Sequence, residues 1–143
     1  MSHDLPIRIY YEDTDAGGIV YHARFIAFAE RGRAEFLRHV GYQSSDLDKD
    51  LGVTFVIRHI EADYLAPGFL DELLTMNTAI ETVKNTSFIM RQRLYRHKND
   101  ANETLLSDMK VSVVCVDSKT IRPVRIPDEL KARFEKHLVS KEG

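Results

Sequence analysis

The sequence lacks most features that mark secreted, membrane-spanning or fibrous proteins. Its 143 residues include one cysteine, four prolines and no tryptophan. The lone Cys115 cannot form an internal disulfide, which favours a reducing compartment. No apolar run approaches the roughly 18 residues of a membrane-spanning helix, and the polar, acidic start MSHDLPIRIYYED is unlike a signal peptide. We therefore expect a cytoplasmic protein, with peripheral contact to a membrane or an envelope complex left open.

The sequence also lacks an excess of charge of one sign. Twenty Lys and Arg residues stand against 22 Asp and Glu residues, which gives a net charge of -2. A dedicated nucleic-acid-binding protein needs a basic excess to displace counterions from phosphates, so no nucleic-acid partner is expected. Hydrophobic residues at 43% and charged residues at 29% are typical of a soluble domain. The length suits one domain, residues 1–143, that buries its core without a structural metal.

The first part of the chain predicts a strand and then a long helix. Residues 5–12 alternate in polarity, which predicts a short strand with Ile7, Ile9 and Tyr11 on one face. Residues 21–40 follow helical spacing and stop at Gly41. The other side of this helix predicts a solvated face and holds Arg24, Arg31, Glu35 and Arg38.

The rest of the chain predicts strands and a terminal helix. Four strand-like runs are separated by short turns, which favours antiparallel pairing; they are residues 53–64, 70–83, 87–97 and 103–116. Residues 127–138 predict a final helix with Leu130, Phe134 and Leu138 packed inward. The predicted fold is α+β, an antiparallel sheet wrapped around one long helix. Its unpaired edge strand favours a homo-oligomer, a dimer or a dimer of dimers.

The most informative segment is YYEDTDAGGIVYH, residues 10–22, directly before the long helix. It begins like a calcium loop, but Gly17 stands where a third ligand is needed and Arg24 replaces the glutamate of position twelve. The two common glycine-rich phosphate motifs are also absent. What remains is a carboxylate beside the N-terminus of a helix. The N–H groups of the helix can polarise a carbonyl. The carboxylate can then attack that carbonyl or activate a water that does so. This pattern suits acyl transfer, and a plain N-cap is the simpler alternative.

These residues resemble a known family. The motif YYEDTDAGGIVYH and the following F-x-x-A-E-R-G-R are similar to acyl-CoA thioesterases of the hotdog fold, specifically the YbgC type related to 4-hydroxybenzoyl-CoA thioesterase. Similarity continues through residues 63–74 to VVCVD at 113–117, and so covers most of the chain. The resemblance implies a hydrolase of acyl-CoA thioesters that works without a metal or organic cofactor.

The resemblance also implies roles for single residues. Asp15 occupies the position of the catalytic carboxylate, which acts as nucleophile or general base. His22 matches the position whose backbone N–H binds the carbonyl oxygen, and its imidazole and Tyr11 are implied to assist. Gly18 and Tyr21 are further candidates for substrate contact in the same segment. An unperturbed imidazole could position water or relay a proton at neutral pH.

Substrate contacts outside that segment follow the same resemblance. The relatives contact nucleotide phosphates through a basic hairpin that corresponds to Lys84, Asn85, Thr86 and Ser87, of which only Lys84 is a cation. This departure leaves acyl carrier protein, which presents pantetheine without a nucleotide, as an alternative acyl donor. Phe55 and Val56 match a region that lines the acyl pocket, although core packing explains them as well.

Other readings remain beside this one. Glu30 lies where some hotdog enzymes place their carboxylate, but the presence of Asp15 favours a structural pairing of Glu30 with Arg33 or Arg31. The histidines have no metal-ligand spacing, and Cys115 is expected to be a buried apolar residue. A non-catalytic binding or scaffold protein of lipid or envelope assembly is the alternative from another class, since YbgC-type members are associated with the Tol-Pal system.

Overall fold

The chain builds one antiparallel sheet from five strands. In the computed structural model, which describes residues 2–138, these are β1 (Ser2–Arg8), β2 (Val53–Tyr64), β3 (Leu73–Val83), β4 (Ser87–Arg96) and β5 (Thr104–Asp117). Their order across the sheet is β1-β3-β4-β5-β2, with every neighbouring pair antiparallel. The first two strands of the chain therefore form the two edges of the sheet.

The helices cover one face of this sheet. They are α1 (His22–His39), α2 (Ser44–Asp46), which continues into a turn at Leu47–Leu51, and α3 (Asp128–Lys136). Helix α1 packs against β1, β3 and β4. Its buried face follows the expected helical spacing and consists of Phe25, Phe28, Ala29, Gly32, Phe36 and Leu37. The predicted α+β architecture, with a sheet against one long helix, is confirmed.

Helix α1 comes closest to the sheet at Gly32. A Cβ atom at this position would lie 2.7 Å from Thr78 Oγ1, 2.8 Å from Met76 Cγ and 2.9 Å from Gln92 Nε2. The Gln92 amide is fully buried and donates to Ala29 O at 2.8 Å and to Thr78 Oγ1 at 2.9 Å. The absence of a side chain at residue 32 thus lets the helix rest directly on a satisfied polar pair.

The first strand differs from its predicted position. It was expected over residues 5–12, but β1 begins at Ser2 and ends at Arg8. Tyr11 lies in a 3-10 turn, Tyr11–Asp13, and is 80% exposed, so it does not share the buried face of Ile7 and Ile9. The reason is local, because the Asp13 carboxylate accepts a hydrogen bond from Tyr10 N at 2.9 Å and turns the chain there.

The terminal helix is also shorter than predicted. It ends at Lys136, and Leu130 and Phe134 are fully buried as expected. Leu138 lies beyond the helix and is 38% exposed, so the prediction that it packs inward is wrong. Once the helix has ended, the spacing that placed Leu138 on the face of Phe134 no longer applies.

Candidate active site

The segment between the 3-10 turn and α1 forms a small hairpin. Thr14 pairs with Val20, and Asp15 N donates to Ile19 O at 2.9 Å across its neck. Gly18 stands at the tip with φ +78°, a conformation that L side chains rarely adopt. The hairpin is tied to the segment before β3, because Val20 N donates to Gly68 O at 2.8 Å. The predicted loop is therefore an ordered structure at the head of α1.

The two aspartates of this segment have different environments. Asp13 is 1% exposed, and its Oδ1 accepts from Arg24 Nη2 at 2.8 Å and from Arg24 Nε at 3.0 Å. Its backbone oxygen also accepts from Tyr21 N at 3.1 Å. Asp13 thus joins the turn to the first turn of α1, and its carboxylate is closed to solvent.

Asp15, in contrast, is exposed at the neck of the hairpin. Its Oδ1 accepts from Gly17 N at 2.9 Å and from Ile19 N at 3.2 Å, which fixes the orientation of the side chain. Within residues 2–138, its Oδ2 accepts no hydrogen bond. One carboxylate oxygen therefore holds the hairpin and the other is open to a ligand.

Neither aspartate caps α1. The N-cap residue is Tyr21, and its side chain makes no capping hydrogen bond. The N–H groups of His22 and Ala23 in the first turn have no acceptor among residues 2–138, whereas Arg24 N donates to Tyr21 O at 2.8 Å. Uncapped first-turn amides are able to bind an oxyanion. This geometry disfavours the simpler N-cap interpretation.

The His22 imidazole lines a small cavity. Its ring contacts Tyr64 at a centroid distance of 5.6 Å and Tyr21 at 4.8 Å. The cavity measures about 310 Å³ and is lined by residues of the hairpin, α1 and the end of β2: Val20, His22, Phe25, Tyr64, Leu65, Ala66 and Pro67. Asp15 is not among these residues. The role of Tyr64 was missed from sequence, because a tyrosine at a strand end has no motif of its own.

The remaining candidates fall into two groups. Tyr11, Gly18 and Tyr21 lie beside Asp15 and His22, at the head of α1. Tyr21 is 54% exposed, and no contact joins Tyr11 to the Asp15 or His22 side chain within the described chain. One chain therefore places five predicted residues at one end of the helix.

The second group lies at the other end of the sheet. Phe55 pairs with Cys115, near the end of β5, whereas Tyr64 and the His22 cavity lie at the opposite end of β2. Phe55 packs on Phe88 and Phe134, and Val56 is 39% exposed. The β3–β4 turn, which holds Lys84, Asn85, Thr86 and Ser87, is at the same far end. Within one chain these residues do not meet Asp15.

A half-buried ion pair holds the segment that contacts the hairpin. Arg96 Nη2 donates to Glu72 Oε1 at 2.7 Å and to Pro67 O at 2.9 Å, and Glu72 also accepts from Phe69 N at 2.7 Å. The Arg96 guanidinium lowers the pKa of the Glu72 carboxyl. Because Gly68 O binds Val20 N, this pair fixes the segment on which the hairpin rests.

Glu30 and Arg33 lie at a second cavity. It measures about 310 Å³ and is lined mainly by apolar side chains from α1, α3 and the sheet. Arg33 Nη1 donates to Gln92 Oε1 at 2.9 Å, and burial lowers the pKa of the guanidinium while the charge of Glu30 opposes this. Among the described residues, Glu30 forms no salt bridge with Arg33 or Arg31, so the expected pairing is not present as a direct contact.

Two further predictions concern the cysteine and the side chains that could bind a metal. Cys115 is fully buried, and burial raises the pKa of its thiol to about 11. It is therefore protonated at neutral pH and inert as a nucleophile. Among residues 2–138, no group of three His, Cys, Asp or Glu side chains is placed to hold a metal ion. The described helices include none with the length and hydropathy needed to cross a membrane.

Comparison with known proteins gives the class of protein to which the chain belongs. The sequence matches the thioesterase-like superfamily over residues 10–134, so the chain belongs to that family. It is 42% identical over 130 residues to the acyl-CoA thioester hydrolase YbgC of Escherichia coli O6:H1, covering 91% of this chain and 93% of that protein. The acyl-CoA thioesterase YbgC of Haemophilus influenzae is 42% identical over 129 residues, 90% of this chain and 91% of that one. The resemblance to the YbgC type is confirmed.

Solved structures confirm the fold. A probable thioesterase from Bartonella henselae superimposes with a TM-score of 0.80 at 35% identity, covering 89% of this chain and all of that one. A 4-hydroxybenzoyl CoA thioesterase complexed with 4-hydroxybenzoyl CoA gives a TM-score of 0.84 at 18% identity, over 92% of this chain and 97% of that chain. At that identity the second likeness shows the fold alone, which agrees with the predicted hotdog architecture.

Proposed function

We propose that this protein hydrolyses acyl-CoA thioesters to a free acid and CoA, with Asp15 as the catalytic carboxylate. The observation that supports this most directly is that the hairpin leading into α1 leaves one carboxylate oxygen of Asp15 open, while the first amides of α1 are uncapped. The family and the YbgC relatives point to the same reaction.

The carboxylate has two routes to the thioester carbonyl. Asp15 Oδ2 either attacks the carbonyl carbon, forming an anhydride that water then cleaves, or removes a proton from the attacking water. In both routes the C–S bond breaks and the thiolate leaves with its electron pair. Because a thiolate is a good leaving group, the reaction requires no metal or organic cofactor.

The backbone amide of His22 stabilises the negative charge that develops on the carbonyl oxygen. Helix N-terminal N–H groups are fixed in direction, so they need no reorganisation when the charge appears. The His22 imidazole, held between Tyr21 and Tyr64, lines the cavity beside this amide and positions water or the substrate. Tyr11 contributes its hydroxyl from the outer side of the hairpin, and Gly18 and Tyr21 contact the pantetheine arm.

A second copy of the chain completes the site. Strand β2 is a long edge strand that exposes Val56 at 39% and Ile57 at 41%. Antiparallel pairing of two β2 strands about their midpoint places Phe55 of the partner subunit next to Ala62 and Tyr64. The same pairing brings the partner's far end, with Phe55, Val56 and the turn Lys84–Ser87, toward Asp15. The working unit is a dimer, and two dimers form a homotetramer.

Coenzyme A is the proposed acyl donor, in preference to acyl carrier protein. The proposed location of the protein is the cytoplasm. The cytoplasmic assignment rests on the single buried cysteine. Peripheral association with a membrane or an envelope complex, and a purely scaffolding role, are the alternatives. An intact Asp15 and open helix amides favour the enzyme over the scaffold.

The decisive test is a panel of short-chain, long-chain and aromatic acyl-CoA thioesters with a thiol-trapping dye. We expect the wild-type protein to release CoA and the Asp15→Asn variant to lose about a hundredfold or more in kcat. Asparagine keeps an oxygen for the Gly17 and Ile19 amides, so the hairpin and the melting temperature should be unchanged. No thiol release with any substrate, or full turnover by the variant, would remove this mechanism.

Two added measurements refine the same test. Matched acyl groups on CoA and on acyl carrier protein compare kcat/KM between donors, and a higher value for the carrier protein would reverse the donor assignment. A single turnover in ¹⁸O-labelled water separates the two routes. Label in the Asp15 carboxylate indicates that Asp15 attacks and that water then cleaves the anhydride at the Asp15 carbonyl. Trapping of the acyl-Asp15 anhydride with hydroxylamine detects the same route when water attacks the acyl carbonyl instead.

A further inference from the structure

A groove between β1 and α1 collects three arginines outside the site already described. Its volume is about 450 Å³, and its lining includes Arg8 from β1 and Arg31 and Arg38 from α1. Arg31 and Arg38 are seven residues apart and so point to the same side of the helix, two turns from each other. This side, predicted from sequence as a solvated face, turns toward the first strand.

The groove has an unbalanced positive charge. Arg8 Nη1 donates to the neutral Asp71 O at 2.8 Å, and the Arg31 guanidinium lies 5.7 Å from the centroid of the neutral Phe28 ring. Only Arg38 has a carboxylate partner in the groove, Glu35. Two of the three guanidinium groups therefore face no carboxylate in the groove, and such groups bind phosphate oxygens well.

Tyr10 also lines the groove. It is 61% exposed, and its backbone N–H is held by Asp13. An exposed aromatic ring beside arginines offers a stacking surface for a nucleobase. Tyr10 precedes Asp15 by five positions, so their Cα atoms are at most about 18 Å apart.

The edge strand itself argues against a peptide as the occupant. An extended peptide would add to β1 by main-chain hydrogen bonds, but Pro6 has no N–H and proline on an edge opposes such pairing. The groove is also remote from the proposed dimer contact, because four strand spacings, about 19 Å, separate β1 from β2. It stays open in a dimer formed through β2.

We propose that this groove binds the phosphates of a nucleotide, with Arg8, Arg31 and Arg38 around the phosphate oxygens and Tyr10 against the base. Two sources share this chemistry: the nucleotide end of acyl-CoA and a free nucleotide. The first source rests on the proposed function, whereas the second does not. A phosphate site in the groove would also explain why the β3–β4 turn, where relatives bind the nucleotide phosphates, has only one cation here, Lys84.

Direct binding of adenosine 3′,5′-bisphosphate, measured by calorimetry on the full chain, tests the groove without any reaction. We expect Arg31→Ala and Arg38→Ala each to weaken binding about tenfold. Glu35→Gln should strengthen it about threefold, because it removes the only carboxylate of the groove. Arg125→Ala is the matched control, since its side chain is 69% exposed and lies outside the groove. Circular dichroism confirms that each variant is folded.

A kinetic comparison identifies the source of the nucleotide. One acyl group is presented on CoA and on N-acetylcysteamine, which has no nucleotide. If the groove holds the substrate, the two arginine variants raise KM for acyl-CoA about tenfold, with kcat and the N-acetylcysteamine thioester unaffected. If it holds a free nucleotide, neither substrate responds although binding of the bisphosphate is lost.

Three results would overturn the proposal. The first is that the wild type does not bind the bisphosphate, and the second is that both arginine variants bind it as well as the wild type does. The third is that the arginine variants lose activity only with acyl carrier protein substrates, which would make the groove a protein-docking surface. A failure to hydrolyse the N-acetylcysteamine thioester, with bisphosphate binding intact, would instead count against the proposed function alone.

Discussion

At the scale of single residues, the molecule separates two aspartates that the sequence places side by side. Asp13 is closed off by Arg24, and Asp15 keeps one oxygen open beside the helix amides. The difference arises from position in the segment. Asp13 lies in the 3-10 turn, where its carboxylate contacts Arg24 of α1, whereas Asp15 lies at the neck of the hairpin. A structural carboxylate and a catalytic one are thus two residues apart.

This separation predicts opposite effects of the same substitution. Asp13→Asn should lower the free energy of unfolding by about 3 kcal/mol, because it leaves the Arg24 guanidinium without its charged partner in a half-buried place. Chemical denaturation and the melting temperature measure this loss. Asp15→Asn is the matched control, with activity lost and stability kept. A reversal of the two phenotypes would contradict both assignments.

At the scale of elements, the hairpin depends on a segment that is not part of it. Residues 67–72 are held by the pair of Glu72 and Arg96, and they in turn hold Val20 and Gly18 through main-chain hydrogen bonds. The pair is formed by two segments far apart in sequence, the end of β4 and the approach to β3. Its effect on catalysis is therefore one of positioning.

Glu72→Gln tests this positioning role through its pH dependence. The folded-state pKa of Glu72 is lowered, so the stability it contributes is present above the unfolded value near 4.3 and is lost as pH falls through the folded pKa. At pH 7 we expect the variant to be less stable by about 1 kcal/mol. The difference from wild type should shrink below about pH 4.

The measurement is urea denaturation at several pH values, with kcat followed in parallel at pH 7. The exposed Glu135→Gln serves as control and should show no such pH-dependent difference. A stability difference for Glu72→Gln that is constant from pH 7 down to pH 3 would show that the ion pair is not its cause.

At the scale of the whole molecule, the candidate site is divided between two ends of the sheet. Asp15 and His22 lie at the head of α1, and Phe55, Val56 and Lys84–Ser87 lie at the opposite end. A two-fold pairing of β2 edges is the simplest operation that joins them, since antiparallel strands place opposite ends side by side.

Ile57→Lys should therefore lower activity by an indirect route, through loss of the dimer. A lysine on the exposed edge of β2 opposes strand pairing, so we expect a folded monomer with kcat/KM reduced at least tenfold. Size-exclusion chromatography with light scattering gives the mass, and circular dichroism verifies the fold. Ile121→Lys, at a residue that is 56% exposed in the turn after β5 rather than on the β2 edge, is the matched control. An active monomer would show that one chain holds a complete site.

Sequence reasoning found most of the fold but not every boundary. Helix α1 was predicted within one residue at each end, because helical spacing and Gly41 are local signals. The end of β1 was missed, since it depends on a hydrogen bond from the Tyr10 amide to the Asp13 side chain. Tyr64, Arg24 and Arg96 were not assigned to the site, because each acts through a contact made only after folding.

The amino-acid sequence by itself determined the order and type of the elements and the identity of the family, since periodicity and a contiguous motif are local properties. The tertiary structure alone decided which aspartate is buried, which amides at the helix head are open and which arginines share a groove. These depend on distances between segments that the chain brings together only when its apolar faces are buried, and no linear pattern encodes such distances.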